Sequence, residues 1–246
     1  MPIRSIERVR VPTPSELDWL HAELLCDGFA VIPAVLPRDL TNRLREEARI
    51  FGQVRPTGAN GTTAAAAWRR DNAGSASTWP GFGQTSELVD ELVHLEPLVT
   101  LAQALLGVEC VPLRTEYFGS SGRTDEPTMA WQDQAFYAGH VQGELTVTLW
   151  CPLSDMGADD GAPEYASPNA VPGQLLEHVD APSPQAGSEL PHAERFSFRP
   201  VPLRCGDIVA HHAYAIRRNG PNRNGRNGGA IALSYRSSAC RTWPPR

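Results

Sequence analysis

Apolar residues return every three or four positions in three stretches of the first half of the chain. Leu17, Leu20, Leu24 and Leu25, behind a Ser/Glu start, predict a helix over 15–26. Leu40, Leu44 and Ile50 predict a second over 39–51. Leu88, Leu92, Leu95, Leu98, Leu101 and Leu105 predict a third over 85–106. Asp27-Gly28 reads as a turn, and 29–33 (FAVIP) as a short strand. From 52 to 84 the periodicity fades into Gly, Ala, Thr, Ser and Asn. A loop of that length is uncommon in a compact domain and reads as a lid or a mobile segment.

The second half alternates differently. The segments 111–118, 145–151, 195–202, 207–210 and 229–236 are short β-rich runs separated by Gly, Pro and Asp. Val147 and Leu149 alternate with Thr146 and Thr148, as in a strand with one buried face. Helices followed by many short strands predict an α+β fold on a sandwich or barrel. No repeat and no boundary is visible, so 1–246 reads as one domain whose N-terminal helices cover the strands.

Composition narrows the functional classes. With 41% hydrophobic and 20% charged residues over 246 positions, the chain is no collagen, coiled coil or disordered polymer. No apolar run reaches the ~18 residues of a membrane span. The polar, Arg-dotted 1–14 lacks a signal-peptide core, so a cytoplasmic location and no membrane partner are expected. Five widely spaced cysteines without a C-x-x-C pair read as free thiols. All 22 basic residues are arginine, which excludes Schiff-base chemistry and a lysine base. A net charge of −6 argues against nucleic acid; Arg217, Arg218, Arg223 and Arg226 are interleaved with Asn and Gly.

Seven segments in order between residues 27 and 236 carry a resemblance. They are 27–33 (DGFAVIP), 130–137 (AWQDQAFY), 148–155 (TLWCPLSD), 161–165 (GAPEY), 206–212 (GDIVAHH), 219–222 (NGPN) and 232–236 (ALSYR). Together they resemble the phytanoyl-CoA dioxygenase family of iron and 2-oxoglutarate-dependent oxygenases. The resemblance implies a double-stranded β-helix, or jelly roll, covered by helices. It also implies a metal site of two histidines and one carboxylate that leaves positions open for 2-oxoglutarate and oxygen. Laid on this chain, Asp133 holds the carboxylate position, Trp131 stands for the first histidine and Arg217 for the second. The arginine that grips 2-oxoglutarate falls near Gly228.

From these replacements we expect no metal ligand set and neither iron nor 2-oxoglutarate bound. Arg217 is expected to pair with Asp133 where the iron would lie. His140, His211 and His212 are the remaining metal candidates. The plainer reading of the last two is that one packs inside the barrel and one faces solvent. Expected catalytic groups are Asp133, Arg217, Tyr137 and His212, with Asp133 an anchor or base and Tyr137 or a histidine the proton donor. Expected substrate contacts are Trp131, Gln134, Glu116, Tyr117, Trp150, Asn219 and Tyr235. The favoured function is a metal-independent, redox-neutral cyclase, isomerase or lyase of bacterial natural-product biosynthesis. Its substrate would be a hydrophobic or polyketide-like small molecule; a homodimer is left open. A non-catalytic binding protein and an iron oxygenase with unconventional ligands remain as alternatives.

Overall fold

A computed structural model describes residues 9–53, 69–70, 76–80, 82–120, 122–137, 141–142, 146–167, 173–180 and 188–242. The helical part begins with α1 (Pro14–Asp27), then β1 (Phe29–Ile32) and α2 (Arg38–Gln53). Next come β2 (Arg69–Arg70), β3 (Ala76–Pro80), α3 (Glu87–Val93) and α4 (Glu96–Leu106). The strand-rich part holds β4 (Cys110–Ser120), the helical turn α5 (Gln134–Tyr137), β5 (Val141–Gln142), β6 (Thr146–Pro152) and β7 (Pro163–Ala166). It continues with β8 (Val179–Asp180), β9 (Ser188–Glu189), β10 (Phe198–Pro200), β11 (Ile208–His212), β12 (Arg217–Asn219), β13 (Gly228–Ser237) and β14 (Arg241–Thr242).

The α1 boundaries follow from local chemistry. Thr13 and Glu16 form a reciprocal capping box at its start, and Gly28, at φ +78°, closes it by donating its N–H to Leu24 O. The helix predicted over 85–106 is two helices. Pro97 stands in the first turn of α4, where its missing N–H costs nothing, and α3 ends just before it at Val93. On α2 the buried stripe is Leu40, Leu44 and Ala48, four residues apart; Ile50 falls off it and is 46% exposed. The run at 195–202 shrinks to β10, with a 3-10 turn over 193–195 before it. The expected loop at 52–84 begins inside α2, which runs on to Gln53, and contains β2 and β3, which extend the large sheet; the rest of it, apart from 82–84, lies outside the described residues, as does most of 168–187.

Among the described residues the strands form an antiparallel sheet in the order β1-β11-β6-β13-β4-β3-β2, and a small sheet β10-β7-β12. Side-chain alternation divides the large sheet into two faces. Val147, Leu149 and Cys151 of β6, Ile208 and Ala210 of β11, and Ile231 and Leu233 of β13 join the core under the helices, with Leu20, Leu24, Leu98, Leu101 and Leu105. The other face sends Trp150, Val209, Ala230 and Ala232 toward Tyr165 of β7. The architecture is the expected helix-covered double-stranded β-helix, and its interior lies between the sheets.

Gly206 sets the start of β11. Its carbonyl accepts from Val35 and Leu36 N–H at 2.8 and 2.9 Å. Its φ is +99°, and a Cβ there would lie 2.5 Å from the Leu36 carbonyl oxygen. Gly206→Ala should therefore destabilise the fold by roughly 2–3 kcal/mol, read as a lowered urea midpoint. An unchanged midpoint would show that this turn relaxes freely.

Candidate functional site

Four elements bring side chains to one buried carboxylate. The segment before α5 supplies Trp131 and Asp133, β6 supplies Thr148, β11 supplies His211, and β12 supplies Arg217. The chain reverses over 213–216 between β11 and β12, so two residues six apart in sequence meet at Asp133. Trp131 and Arg217 pair as an antiparallel bridge, their N–H groups donating to each other's carbonyls at 2.9 and 3.0 Å. That bridge fixes the Arg217 side chain against Asp133.

Asp133 is 6% exposed and both of its oxygens are engaged. Oδ1 accepts from Arg217 Nε at 3.1 Å, Arg217 Nη2 at 2.8 Å and Trp131 Nε1 at 3.0 Å. Oδ2 accepts from Thr148 Oγ1 at 3.2 Å and His211 Nε2 at 3.1 Å. Burial on its own would raise the Asp133 pKa, but the Arg217 charge and then His211 outweigh it and hold the group well below the usual carboxylate range. Burial, then the Arg217 charge, push His211 down to about 4, against the pull of Asp133. The imidazole is thus neutral near pH 7. Because an ionised carboxylate only accepts, the ring proton sits on Nε2, and Nδ1 accepts the Tyr165 hydroxyl at 2.9 Å. The guanidinium of Arg217 lies 4.5 Å from the Trp131 ring centroid and 5.8 Å from that of Phe118. Its Nη1 is buried with no hydrogen-bond partner.

A second string runs from Thr148 to Ser234 at 2.9 Å and to the Tyr137 hydroxyl, which donates to Ser234 Oγ at 3.0 Å. Burial raises the Tyr137 pKa strongly. Beyond this cluster the inter-sheet space opens into a cavity of about 290 Å³ lined by Phe118, Thr128, Trp150, Met156, Asn219 and Ala230, among others. Gln134 is buried on α5, its N–H donating to Ala213 O. Glu116 shares a face of β4 with Phe118 and is held by Arg114 at 2.6 Å.

Three expected site residues stand elsewhere, each turned away by strand alternation or by its core partners. Tyr235 belongs to the helix-covered core, its hydroxyl donating to Val93 O at 3.0 Å. Tyr117 packs on the same core, 5.7 Å from the Phe82 ring. His212 points away from Asp133, stacks on Tyr214 at 5.4 Å and lines a separate cavity of about 280 Å³ beside the end of α1. His211 is the residue inside, and His140 lies outside the described residues. Tyr165, Thr148 and Ser234 were not among the expected site residues. The Thr146/Thr148 alternation was the available signal for Thr148, whereas Tyr165 and Ser234 offered none beyond lying in matched segments.

The model of the family described as phytanoyl-CoA dioxygenase (PhyH) matches residues 24–227. No curated protein matches the chain in sequence. Many solved structures share its fold, among them those of SnoN, SnoK and EvdO2. The epimerase SnoN, in complex with Fe3+, alpha ketoglutarate and nogalamycin RO, superposes with a TM-score of 0.73 at 20% identity, over 94% of this chain and 88% of that one. The non-heme alpha ketoglutarate dependent carbocyclase SnoK from nogalamycin biosynthesis gives 0.70 at 17%, over 99% and 90%. EvdO2 from Micromonospora carbonacea var. aurantiaca, complexed with 2-oxoglutarate, gives 0.74 at 20%, over 96% of both chains.

These comparisons correct the expectation that iron and 2-oxoglutarate are not bound. Both belong to the chemistry of the family, and neighbours of the same fold were solved with them. The donor set at Asp133 is a separate observation. One carboxylate and one imidazole meet there, while guanidinium and indole N–H groups, which offer a metal no lone pair, take the other sides. Among the described residues this is not the two-histidine, one-carboxylate set.

Two outcomes follow from the geometry. Arg217→Met strands a buried carboxylate and should cost roughly 3–5 kcal/mol in urea unfolding, and the Asp133→Asn/Arg217→Met pair should be the more stable of the two. His211 is neutral when folded down to about pH 4 but protonates near 6.5 when unfolded. The unfolded chain thus binds more protons between those values, and stability falls as pH drops from about 6.5 to about 4, by up to ~3 kcal/mol. Urea midpoints across that window should slope downward toward acid, and His211→Gln should flatten the slope.

Proposed function

Because the chain belongs to the phytanoyl-CoA dioxygenase family over residues 24–227, we propose that it is an enzyme of natural-product biosynthesis that rearranges a hydrophobic or polyketide-like small molecule by acid–base chemistry. The reaction class is epimerisation, isomerisation, cyclisation or elimination, and the structural neighbours named as an epimerase and a carbocyclase support that class. The observation that carries the reading is the line Tyr165–His211–Asp133, with the unpartnered Arg217 Nη1 beside it.

In this line Asp133 is the anchor. All of its lone-pair directions are engaged and its pKa is low, so it serves poorly as a base. It holds His211 in the tautomer that leaves Nδ1 as acceptor. A substrate proton taken up by the Tyr165 oxygen is matched by transfer of the Tyr165 proton to His211 Nδ1. The imidazolium so formed is balanced by Asp133; burial raises the Tyr165 pKa strongly and the Arg217 charge only opposes that, so Tyr165 passes its proton to His211 in concert with taking up the substrate proton rather than resting as a phenolate. Arg217 Nη1–H supplies a hydrogen bond to an oxygen on which negative charge develops, as an enolate or alkoxide does.

Hydroxylated aromatic polyketides incubated in deuterium oxide, with and without ferrous iron and 2-oxoglutarate, test this by mass spectrometry. Expected is a product of unchanged composition carrying solvent deuterium, with turnover reduced about 10²–10³-fold in Tyr165→Phe and His211→Gln. A product that gains an oxygen atom while 2-oxoglutarate is converted to succinate would replace this reading with oxygenation. Saturable binding without turnover would replace it with the non-catalytic alternative.

A further inference from the structure

The strap 173–180 is tied to the segment that carries Trp131 and Asp133 through Gln132, which lies between those two site residues and is fully buried. Gln132 Nε2 donates to Gln174 O and to Tyr214 O, both at 2.8 Å, and its Oε1 accepts from Leu176 N–H at 2.9 Å. Its backbone N–H donates to His178 Nε2 at 3.1 Å. The His178 ring is fixed from its other side, where Nδ1 bonds to Leu176 O at 2.9 Å. A carbonyl only accepts, so the proton sits on Nδ1 and Nε2 keeps its lone pair for Gln132.

The residues before Gln132 are held as closely. Ala130 O accepts from Leu190 N–H at 2.8 Å, and Trp131 exchanges hydrogen bonds with Arg217. Tyr214 lies in the turn over 213–216 that delivers Arg217, so the Gln132 amide joins strap, turn and site segment at one point. Apolar contact holds the strap only lightly. Leu176 packs against the cluster of Ala130, Leu190 and Ile216, while Leu175 and Val179 are 36% and 42% exposed. Hydrogen bonds therefore decide whether the strap stays down, and His178 is the titratable partner among them. The other titratable groups on the adjoining elements are Glu177 and Asp180 on the strap, Glu189 opposite Val179 on β9, and Asp133, which is turned to Arg217 and His211. Burial pushes His178 below its ordinary value, against the pull of the Leu176 carbonyl, and among the described residues no charged side chain adds to these causes.

We propose that Gln132 and His178 form an acid-released latch that positions the Trp131–Asp133 segment. With His178 neutral, the strap lies closed on Gln132. Protonated at Nε2, the ring turns an N–H toward the Gln132 N–H, that hydrogen bond is lost, and the strap lifts. Buried in the closed strap, His178 takes a proton less readily than in the open one, where imidazole titrates near 6.5. Closure is therefore strongest above about pH 6.5 and weakens as pH falls below it. Both are positioning residues that act through the segment they hold, and the latch stands whether or not the acid–base reading above holds.

Hydrogen exchange of the full chain without substrate, corrected for the intrinsic effect of pH and read at single amides, tests the latch. From about pH 7.5 to about pH 5, protection at the Gln132 and Leu176 amides should fall roughly tenfold. His178→Gln keeps an acceptor that does not titrate. It should remove that fall without changing how the Leu149 and Leu233 amides of the large sheet respond to pH. The Trp131 and Arg217 amides, bonded across their bridge, should follow Gln132 with a smaller loss. Gln132→Leu should leave Leu176 poorly protected at both pH values; if that variant folds poorly, the wild type and His178→Gln decide alone. No fall in the wild type, or a fall that persists in His178→Gln, would overturn the proposal. Steady protection at Trp131 and Arg217 while the strap opens would overturn the positioning role.

Discussion

One buried carboxylate organises the interior. Asp133 receives five hydrogen bonds from Arg217, Trp131, Thr148 and His211, drawn from four separate elements. Taking a carboxylate and a guanidinium out of water costs more than their mutual attraction returns unless the remaining lone pairs are filled. Here they are filled, and the consequence is positional. Each donor must sit where the carboxylate needs it, which ties the small sheet to the large one through Asp133. The Trp131–Arg217 backbone bridge and the turn over 213–216 are the local devices that deliver it.

That saturation also sets the chemistry available. A carboxylate so fully engaged orients and balances charge rather than taking protons, which shifts acid–base work to His211 and Tyr165 and leaves Arg217 Nη1 as a buried donor without a protein partner. The family works with iron and 2-oxoglutarate, and neighbours of the same fold hold them. On this chain the positions around Asp133 carry N–H groups in place of imidazole lone pairs. Proton movement thus falls on β7 and β11, while β6 and β12 supply Thr148 and Arg217 to hold the carboxylate.

Much of the fold was legible along the chain. The spacing of Leu20 and Leu24, the Asp27-Gly28 turn and the Thr146–Leu149 alternation are local signals, and α1, β1 and β6 lie where those signals place them. The break between α3 and α4 was announced by Pro97, although leucine spacing on either side ran straight through it. Ile50 misled because a period near 3.6 admits a second register, and Ala48 was too small to stand out. The three-residue β12 left no periodic trace, since its strand state is imposed by Tyr165 and Trp131 on its two sides.

The sequence by itself determined the family, the helix-then-strand order, the absence of histidine at 131 and 217, and the positions of one acid and one arginine able to neutralise each other. Tertiary structure alone decided which of two adjacent histidines faces the carboxylate, because strand parity sends His211 inward and His212 outward. It likewise assigned Tyr117 and Tyr235 to the core under the helices, and it joined Tyr165 to the site from a strand 32 residues beyond Asp133. Side-chain direction on a strand depends on register with its neighbours. Register is a property of pairs of segments, and no single segment carries it.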